Sequence, residues 1–299
     1  MPRPSGRVGS SPTAGTNSHH PRRRHLARSA AVDTILVTGG LGRIGTALCR
    51  ELRGTYRTRS FDLRPSTEAD ENVVGNITDI DALVDACDGV RAIVHLAGIP
   101  GNADFDLLLD ANVRGTYCVY EAAVKAGVPR VVFASTNHVS GMWEKAGVFA
   151  TPEMPVRPDS HYAVSKAAGE AIARYYADAH GIGSVCMRIG GFSPTDKAGG
   201  VRGYYMLITC RDIAQLVDKS IQSDVLFAIV NGISNHPKAY QDLESAAKLL
   251  GYEPRDGAED WLDDCPDDVR EQYENVTWRH LNREDMLDEW ATVRATRGK

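Results

Sequence analysis

Short apolar runs alternate with stretches of helical hydrophobic spacing along most of this chain. The run Ile-Leu-Val at 35–37 is rich in β-branched residues and predicts a buried strand. Apolar residues then recur at positions 44, 47, 48 and 52, the spacing of one helix face. Further strands are predicted at 56–61, 73–74, 92–96, 131–134, 185–189 and 225–230, and further helices at 81–87, 105–126, 161–179, 211–220 and 238–250. This regular alternation indicates an α/β fold with a doubly wound parallel sheet.

The turn between the first strand and the first helix contains three regularly spaced glycines. Gly39, Gly42 and Gly45 give the pattern G-x-x-G-x-x-G, and Arg43 and Ile44 lie within it. A Cβ in such a turn would block the approach of phosphates to the backbone or of the helix to the strand. The helix N-terminus that follows favours an anion. The strand, turn and helix together predict a Rossmann-type site for a dinucleotide, whereas glycines alone would indicate only a tight turn.

Acidic and small residues follow later strands where a dinucleotide would lie. Asp62 ends the second predicted strand, 17 residues after Gly45, where a carboxylate binds ribose hydroxyls and repels a 2′-phosphate. This position predicts NAD as the cofactor, although Arg43 or Arg64 could pair with the phosphate of NADP. Additional cofactor contacts are predicted at the adenine edge and along the small-residue segment after the fourth strand: Asn76, Ile77, Leu96, Ala97 and Gly98.

Composition and charge narrow the class of protein. The 299 residues carry a net charge of −5, although residues 1–32 contain six arginines and no acid, so the remainder is more acidic still. We therefore expect no nucleic-acid partner. No apolar run of about 18 residues predicts a membrane span, no histidine or cysteine spacing predicts a metal site, and six scattered cysteines predict reduced thiols in a cytoplasmic protein.

The ends of the chain differ in character from its middle. Residues 1–32 are rich in Pro, Gly, Ser, Arg and His and lack hydrophobic periodicity, which predicts a disordered basic tail without a secretory signal. We expect residues 33–299 to form a single domain, with a small C-terminal substrate lobe built mainly from 190–206 and 232–299. The glycine-rich stretch 190–206 is expected to be a mobile loop, and the acidic region from 257 onward has a helical pattern. A homo-oligomer is compatible with the sequence.

A tyrosine and a lysine four residues apart suggest the chemistry. Tyr162 and Lys166 share one face of the predicted helix 161–179, and Thr136 follows the fifth predicted strand. Such a pair is common on helix surfaces, but here it lies downstream of a dinucleotide motif. A lysine charge beside the phenol would lower its pKa. Tyr162 could then remove a hydroxyl proton while hydride leaves the same carbon, with Lys166 also bonding the nicotinamide ribose and Thr136 bonding the reacting oxygen.

These motifs together resemble the extended branch of the short-chain dehydrogenase/reductase superfamily, the NAD-dependent epimerases and dehydratases. The resemblance rests on the segments 38–45 (TGGLGRIG), 95–98 (HLAG) and 162–166 (YAVSK), with Asp62 and Asn112. It implies an NAD-dependent enzyme and adds Asn112 to the cofactor-binding residues.

The segments 135–141 (STNHVSG) and 188–190 (RIG) resemble those of uronate dehydrogenases more narrowly. That resemblance implies oxidation of the C1 hydroxyl of a cyclic hexuronic acid to a lactone, with Thr136, Asn137 and His138 binding the sugar. It also implies that Arg202 clamps the substrate carboxylate, although a solvated loop arginine is an equal alternative. Two positions depart from the family: Pro100 and Gly191 replace serines that contact substrate.

Two alternative functions stay open. One is a nucleotide-sugar epimerase or ketoreductase of the same superfamily; dehydration is disfavoured because Asn137 and His138 replace the Asp-Glu pair of dehydratases. The other is a non-catalytic dinucleotide sensor, which the retained Tyr162 and Lys166 argue against.

Overall fold

The computed structural model describes residues 32–286, so most of the predicted tail and the last 13 residues of the chain lie outside the described range. The strands are β1 (Thr34–Thr38), β2 (Arg57–Asp62), β3 (Glu71–Val74), β4 (Val90–His95), β5 (Arg130–Thr136), β6 (Gly183–Ile189), β7 (Gly191–Phe192), β8 (Leu207–Ile208) and β9 (Phe227–Gly232). The helices are α1 (Arg43–Glu51), α2 (Ile80–Ala86), α3 (Phe105–Leu108), α4 (Gly115–Ala126), α5 (Gly141–Lys145), α6 (His161–His180), α7 (Gly200–Met206), α8 (Cys210–Gln222), α9 (Glu244–Leu250) and α10 (Asp267–Glu274). Within 32–286, no helix combines the length and the hydropathy that crossing a membrane requires.

Seven of the strands in residues 32–286 form one sheet, in the order β3-β2-β1-β4-β5-β6-β9. Every neighbouring pair is parallel. The chain moves outward from β1 to β3 and then crosses back to β4, so the strand order reverses between β1 and β4. Ligands of such sheets bind at the carboxyl ends of the strands beside this reversal. The prediction of a doubly wound parallel sheet is confirmed.

Alternate side chains of β1 pack into two apolar cores, one on each face of the sheet. Ile35 and Val37 pack with Leu48 of α1 in one apolar cluster, whereas Leu36 packs with Phe61 in the other. All of these side chains are at most 1% exposed. The continuous apolar run at 35–37 is thus explained, because a strand covered by helices on both faces has no polar side.

A third apolar cluster lies apart from the two sheet cores. Its buried members include Trp143, Tyr204, Tyr240 and Tyr273, which come from α5, α7, the segment after β9 and α10. The expected substrate lobe, 190–206 with 232–299, supplies most of these residues as far as the described range extends. Its role in binding substrate stays a prediction.

The predicted helix 105–126 is interrupted. A π-helical turn, Leu109–Arg114, separates α3 from α4. The wider turn places Asn112, which is fully buried, where its amide bonds the backbone of Ile99 and the hydroxyl of Ser165. Hydrophobic periodicity cannot detect such a turn, because the apolar spacing continues on both sides of it.

The other differences from the predicted elements lie towards the C-terminus. The helix predicted from 238 begins only at Glu244, because Tyr240 accepts a hydrogen bond from the amide of Ala150 and Asp242 caps the helix through the amides of Glu244 and Ser245. The stretch 190–206 holds β7 and α7 and is not a simple loop. Beyond residue 257, the helical pattern yields a 3-10 turn at Ala258–Asp260, the short helix α10 and a helical stretch at 283–286, where the described residues end.

Candidate active site

The glycine turn between β1 and α1 brings backbone close to backbone. Gly39 has a φ of +75°, and a Cβ there would lie 2.7 Å from the amide nitrogen of Ala97. A Cβ on Gly45 would collide with the carbonyl oxygen of Gly39. Gly42 is the N-cap residue of α1 and offers no side-chain acceptor to the first amide groups of the helix. These amides are therefore available to an anion, as a pyrophosphate-binding turn requires.

Asp62 lies at the carboxyl end of β2, and its carboxylate is oriented by the backbone. One oxygen, Oδ2, accepts from the amide of Leu41 at 3.0 Å, and Oδ1 accepts from the amide of Leu63 at 2.7 Å. Arg64 lines the same cavity as Asp62. Arg43 instead donates from Nη2 to the carbonyl oxygen of Phe192 at 2.9 Å. Of the two arginines that could favour NADP, Arg64 is thus the one beside the carboxylate.

The predicted cofactor residues line two adjoining cavities of about 490 and 470 Å³. The first is lined by Gly39, Gly42, Arg43, Ile44, Gly45, Leu96, Gly98 and Lys166, and the second by Gly39, Gly42, Asp62, Asn76, Ile77, Leu96, Ala97 and Gly98. Because four of these residues are shared, the cavities form one groove across the carboxyl ends of the central strands. Asn112 lines neither cavity. Its side-chain amide forms two hydrogen bonds with the backbone of Ile99, a residue of the cavity wall.

The three predicted catalytic side chains meet in the first cavity. Helix α6 begins after Ser160, whose Oγ accepts a hydrogen bond from the amide of Ala163 at 3.2 Å. The i, i+4 spacing on this helix puts Tyr162 and Lys166 on one face. Thr136 is the last residue of β5, and all three line the cavity that also contains the glycine turn.

Burial controls the ionisation of this group. It raises the pKa of the Tyr162 phenol, and a hydrogen bond with Thr136 acts in the opposite direction. It also lowers the pKa of the Lys166 ammonium to about 8. The Lys166 nitrogen lies 5.0 Å from the centroid of the Phe133 ring, at a distance typical of a cation–π contact. Burial in this cavity therefore disfavours both the phenolate form of Tyr162 and the ammonium form of Lys166, relative to water.

A neutral histidine supports the wall behind the groove. His95 is fully buried, with Nδ1 2.8 Å from the Thr38 hydroxyl and Nε2 3.0 Å from the Thr116 hydroxyl. Burial and then the charge of Lys166 lower its pKa to about 3. His95 is therefore uncharged at neutral pH, and its two hydroxyl partners connect the end of β4 to the end of β1 and to α4.

A buried ion pair holds the strand that carries Thr136. Glu170 of α6 accepts two hydrogen bonds from Arg188 of β6, both 2.9 Å long, and a third from the Ser135 hydroxyl at 2.6 Å. Both charged side chains are at most 5% exposed. This arrangement connects the helix of Tyr162 to the strand ending in Thr136, so it positions one against the other.

The remaining predicted substrate residues lie around a third cavity. His138 and Arg202 line it, together with Glu144 and Asp159. His138 Nδ1 lies 3.0 Å from Asp159 Oδ2, and the His138 ring is 6.4 Å from the Tyr162 ring, centroid to centroid. One wall of the third cavity, His138, therefore lies near Tyr162 of the first cavity.

Arg202 is bound to a carboxylate of its own chain. Its Nε and Nη2 donate to Glu144 Oε1 and Oε2, both at 2.8 Å. With the Asn137 amide oriented so that both its ends find partners, its oxygen accepts from Arg202 Nη2 at 2.7 Å and its nitrogen donates to the carbonyl of Ile189 at 3.1 Å. Asn137 thus connects Arg202 to the end of β5. The predicted clamp on a substrate carboxylate stays a prediction.

A family model places the chain among known enzymes. The model of the NAD dependent epimerase/dehydratase family matches residues 35–199, which include the glycine turn and the Tyr162–Lys166 pair. The chain belongs to the NAD dependent epimerase/dehydratase family. It is an NAD-dependent dehydrogenase of the extended short-chain branch, and the relatives it resembles include dehydrogenases of sugars and sugar acids.

Three comparisons illustrate which members of the family the chain is similar to. An NAD-dependent glucose-6-phosphate dehydrogenase of Haloferax volcanii is 36% identical, over 75% of this chain and 94% of that protein. An L-arabinose 1-dehydrogenase (NAD(P)(+)) of the same organism is 34% identical, over 75% and 97%. A crystal structure of a mutant uronate dehydrogenase from Agrobacterium tumefaciens, complexed with NAD, is 30% identical with a TM-score of 0.69, over 85% and 93%.

The groove fits the NAD of this family. The turn has no room for a Cβ at Gly39 or Gly45, the amides of α1 face it, and the carboxylate of Asp62 is fixed at its far end. The residues present would hold the pyrophosphate at the turn and the adenosine ribose at Asp62, and Lys166 would face the nicotinamide ribose. NAD is the cofactor.

Sequence reasoning missed several residues that shape the site. Glu144, Asp159 and Glu170 each contact a predicted substrate or strand-end residue, but none lies in a recognisable motif. Only Glu170 had an available signal, because it follows Lys166 by four residues and extends the same helix face.

Proposed function

We propose that this dehydrogenase oxidises the C1 hydroxyl of a cyclic sugar to the lactone. The observation that supports this is the convergence of Tyr162, Lys166 and Thr136 in the first cavity of the NAD groove, which the glycine turn also lines. The dehydrogenases of sugars and sugar acids among its relatives support the same reaction.

The residues of this cavity would orient the sugar hydroxyl and remove its proton. Thr136 and Tyr162 hold the sugar hydroxyl, and the Tyr162 phenolate takes its proton. NAD held by the glycine turn, Asp62 and Lys166 would supply the hydride acceptor for the same carbon. Because burial raises the pKa of Tyr162, the phenolate needs a compensating positive charge. Lys166, which lines the same cavity, would supply that charge as an ammonium, and the hydrogen bond with Thr136 lowers the pKa of the phenol directly.

Two substrate classes follow from the residues around the third cavity. Arg202 favours a hexuronic acid, because a guanidinium binds a carboxylate through two parallel hydrogen bonds. Glu144 favours a neutral sugar, because it already occupies that edge of Arg202. Both classes retain the same C1 chemistry at Tyr162.

The test is NADH formation from a panel of neutral aldoses, hexuronic acids and nucleotide sugars. Oxidation of a free sugar, with the lactone as product and with loss of activity in Tyr162→Phe, is expected. Turnover of nucleotide sugars alone would instead favour the epimerase or ketoreductase alternative. Binding of NAD without turnover of any substrate would favour the non-catalytic sensor.

A further inference from the structure

Glu144 fills the position at Arg202 that a substrate carboxylate would need. Arginine has five N–H donors. Two bonds to Glu144 and one to Asn137 use Nε and both hydrogens of Nη2. Only the two hydrogens of Nη1 stay outside these three bonds, so a further carboxylate cannot form the paired, two-nitrogen contact along the Nε edge.

Further contacts fix Glu144 in this place. Its Oε1 also accepts a hydrogen bond from the Tyr205 hydroxyl at 3.0 Å, and its side chain is 12% exposed. Burial by itself would lower the pKa of Arg202, but the hydrogen bonds and charge of Glu144 raise it above its ordinary value. The guanidinium is thus neutralised by its own chain.

The charge balance of this cavity disfavours an acid. A sugar carboxylate reaching Arg202 would lie next to the carboxylate of Glu144, and close juxtaposition of like charges is unfavourable. Asp159, only 8% exposed, adds a second carboxylate to the same cavity, with Lys145 and His138 as its partners. A hydroxyl group, in contrast, can donate to Glu144 and requires no free cation.

We propose that Glu144 is a specificity-determining residue that closes Arg202 to carboxylates and selects a neutral aldose as substrate. This inference rests on the proposed C1 oxidation. The selection acts through one side chain, so removing its charge should reopen Arg202 to hexuronic acids.

The experiment compares sugars that share ring and anomeric stereochemistry but differ at C6. D-galactose is paired with D-galacturonate, and D-glucose with D-glucuronate. In the wild-type enzyme, kcat/KM should be higher for the neutral member of each pair. Glu144→Gln should raise the acid-to-neutral ratio of kcat/KM at least about tenfold, equivalent to about 1.4 kcal/mol. The control Glu153→Gln makes the same charge change at an exposed loop residue and should leave the ratio unchanged.

A binding measurement keeps the test independent of turnover and of the folding of Glu144→Gln. Calorimetry with Tyr162→Phe and saturating NAD should detect the neutral sugar at lower concentration than the acid. Preference for the acid in kcat/KM or in calorimetry, or a ratio in folded Glu144→Gln within twofold of wild type, would overturn the proposal. If neither member of any pair is oxidised or bound, the C1 oxidation itself is wrong, and this result differs from a wrong preference between oxidised sugars.

Discussion

Replacing Lys166 by methionine should make the protein more stable while it removes the charge that the proposed mechanism requires. The ammonium is 4% exposed, and no carboxylate lies within ion-pair distance of it among residues 32–286. Burying a charge without a partner costs free energy of folding. Methionine has a similar length and fills the same space without that cost.

The size of the effect follows from the pKa of Lys166. A difference of one in pKa corresponds to about 1.4 kcal/mol, so a fall from 10.5 to about 8 corresponds to a cost of about 3 kcal/mol at pH 7. The contact with the Phe133 ring, at 5.0 Å, offsets part of this cost. We therefore expect Lys166→Met to raise the free energy of unfolding by about 1 to 3 kcal/mol at pH 7.

The pH dependence distinguishes this cause from better packing. Below pH 8 the lysine is charged in both the folded and the unfolded chain, and its full cost is present. Between pH 8 and 10.5 the folded chain releases the proton before the unfolded chain does, so wild-type stability gains from Lys166 as the pH rises. The advantage of Lys166→Met should therefore shrink by more than half between pH 7 and pH 9.5.

Urea denaturation at these two pH values, without NAD, measures the effect. Lys125→Met, at an exposed position of α4, is the matched control and should change stability by less than about 0.5 kcal/mol. A less stable Lys166→Met at pH 7, or a gain that is equal at both pH values, would refute the argument. Addition of NAD should stabilise wild type more than the variant, because Lys166 would face the nicotinamide ribose.

Three further perturbations test other parts of the site. Tyr162→Phe should lower kcat by about 10² to 10⁴-fold while NAD affinity, measured by calorimetry, changes little; activity near wild type would remove Tyr162 from the mechanism. The wild-type enzyme should show a higher kcat/KM with NAD than with NADP, and Asp62→Ala should narrow that ratio; an unchanged ratio would mean that Arg64 dominates. Glu170→Gln should lower the free energy of unfolding by about 3 to 5 kcal/mol in urea, because it leaves Arg188 buried beside a neutral amide; an unaltered midpoint would contradict the buried ion pair.

The sheet was predictable from the sequence because its central strands β1, β5 and β6 are covered on both faces. The run at 35–37 has no polar member, and each later strand is bounded by a helix of clear hydrophobic spacing. The glycine turn was predictable for a different reason, since close backbone approach excludes every other residue at Gly39 and Gly45. Both the apolar strands and the glycine turn are visible in short segments of the sequence.

The elements that differ from prediction depend on contacts between distant parts of the chain. The π-helical turn at 109–114 is held where Asn112 reaches Ile99 and Ser165, which is 53 residues away. The late start of α9 follows from pairing between the segment at 240–242 and Ala150. Apolar spacing describes one face of one helix, so it cannot register a partner elsewhere in the chain.

The candidate site also combines residues that are close in the sequence with residues that are far apart. Tyr162 and Lys166 are four residues apart on one helix, so their sequence already contains their geometry. Arg202 and Glu144 are 58 residues apart, and nothing near Arg202 in the sequence indicates its partner. What an arginine can bind depends on which of its N–H donors already have a hydrogen-bond partner. Here the occupant is a carboxylate of the same chain, so the proposed role of Glu144 reverses the acidic preference that Arg202 alone would predict.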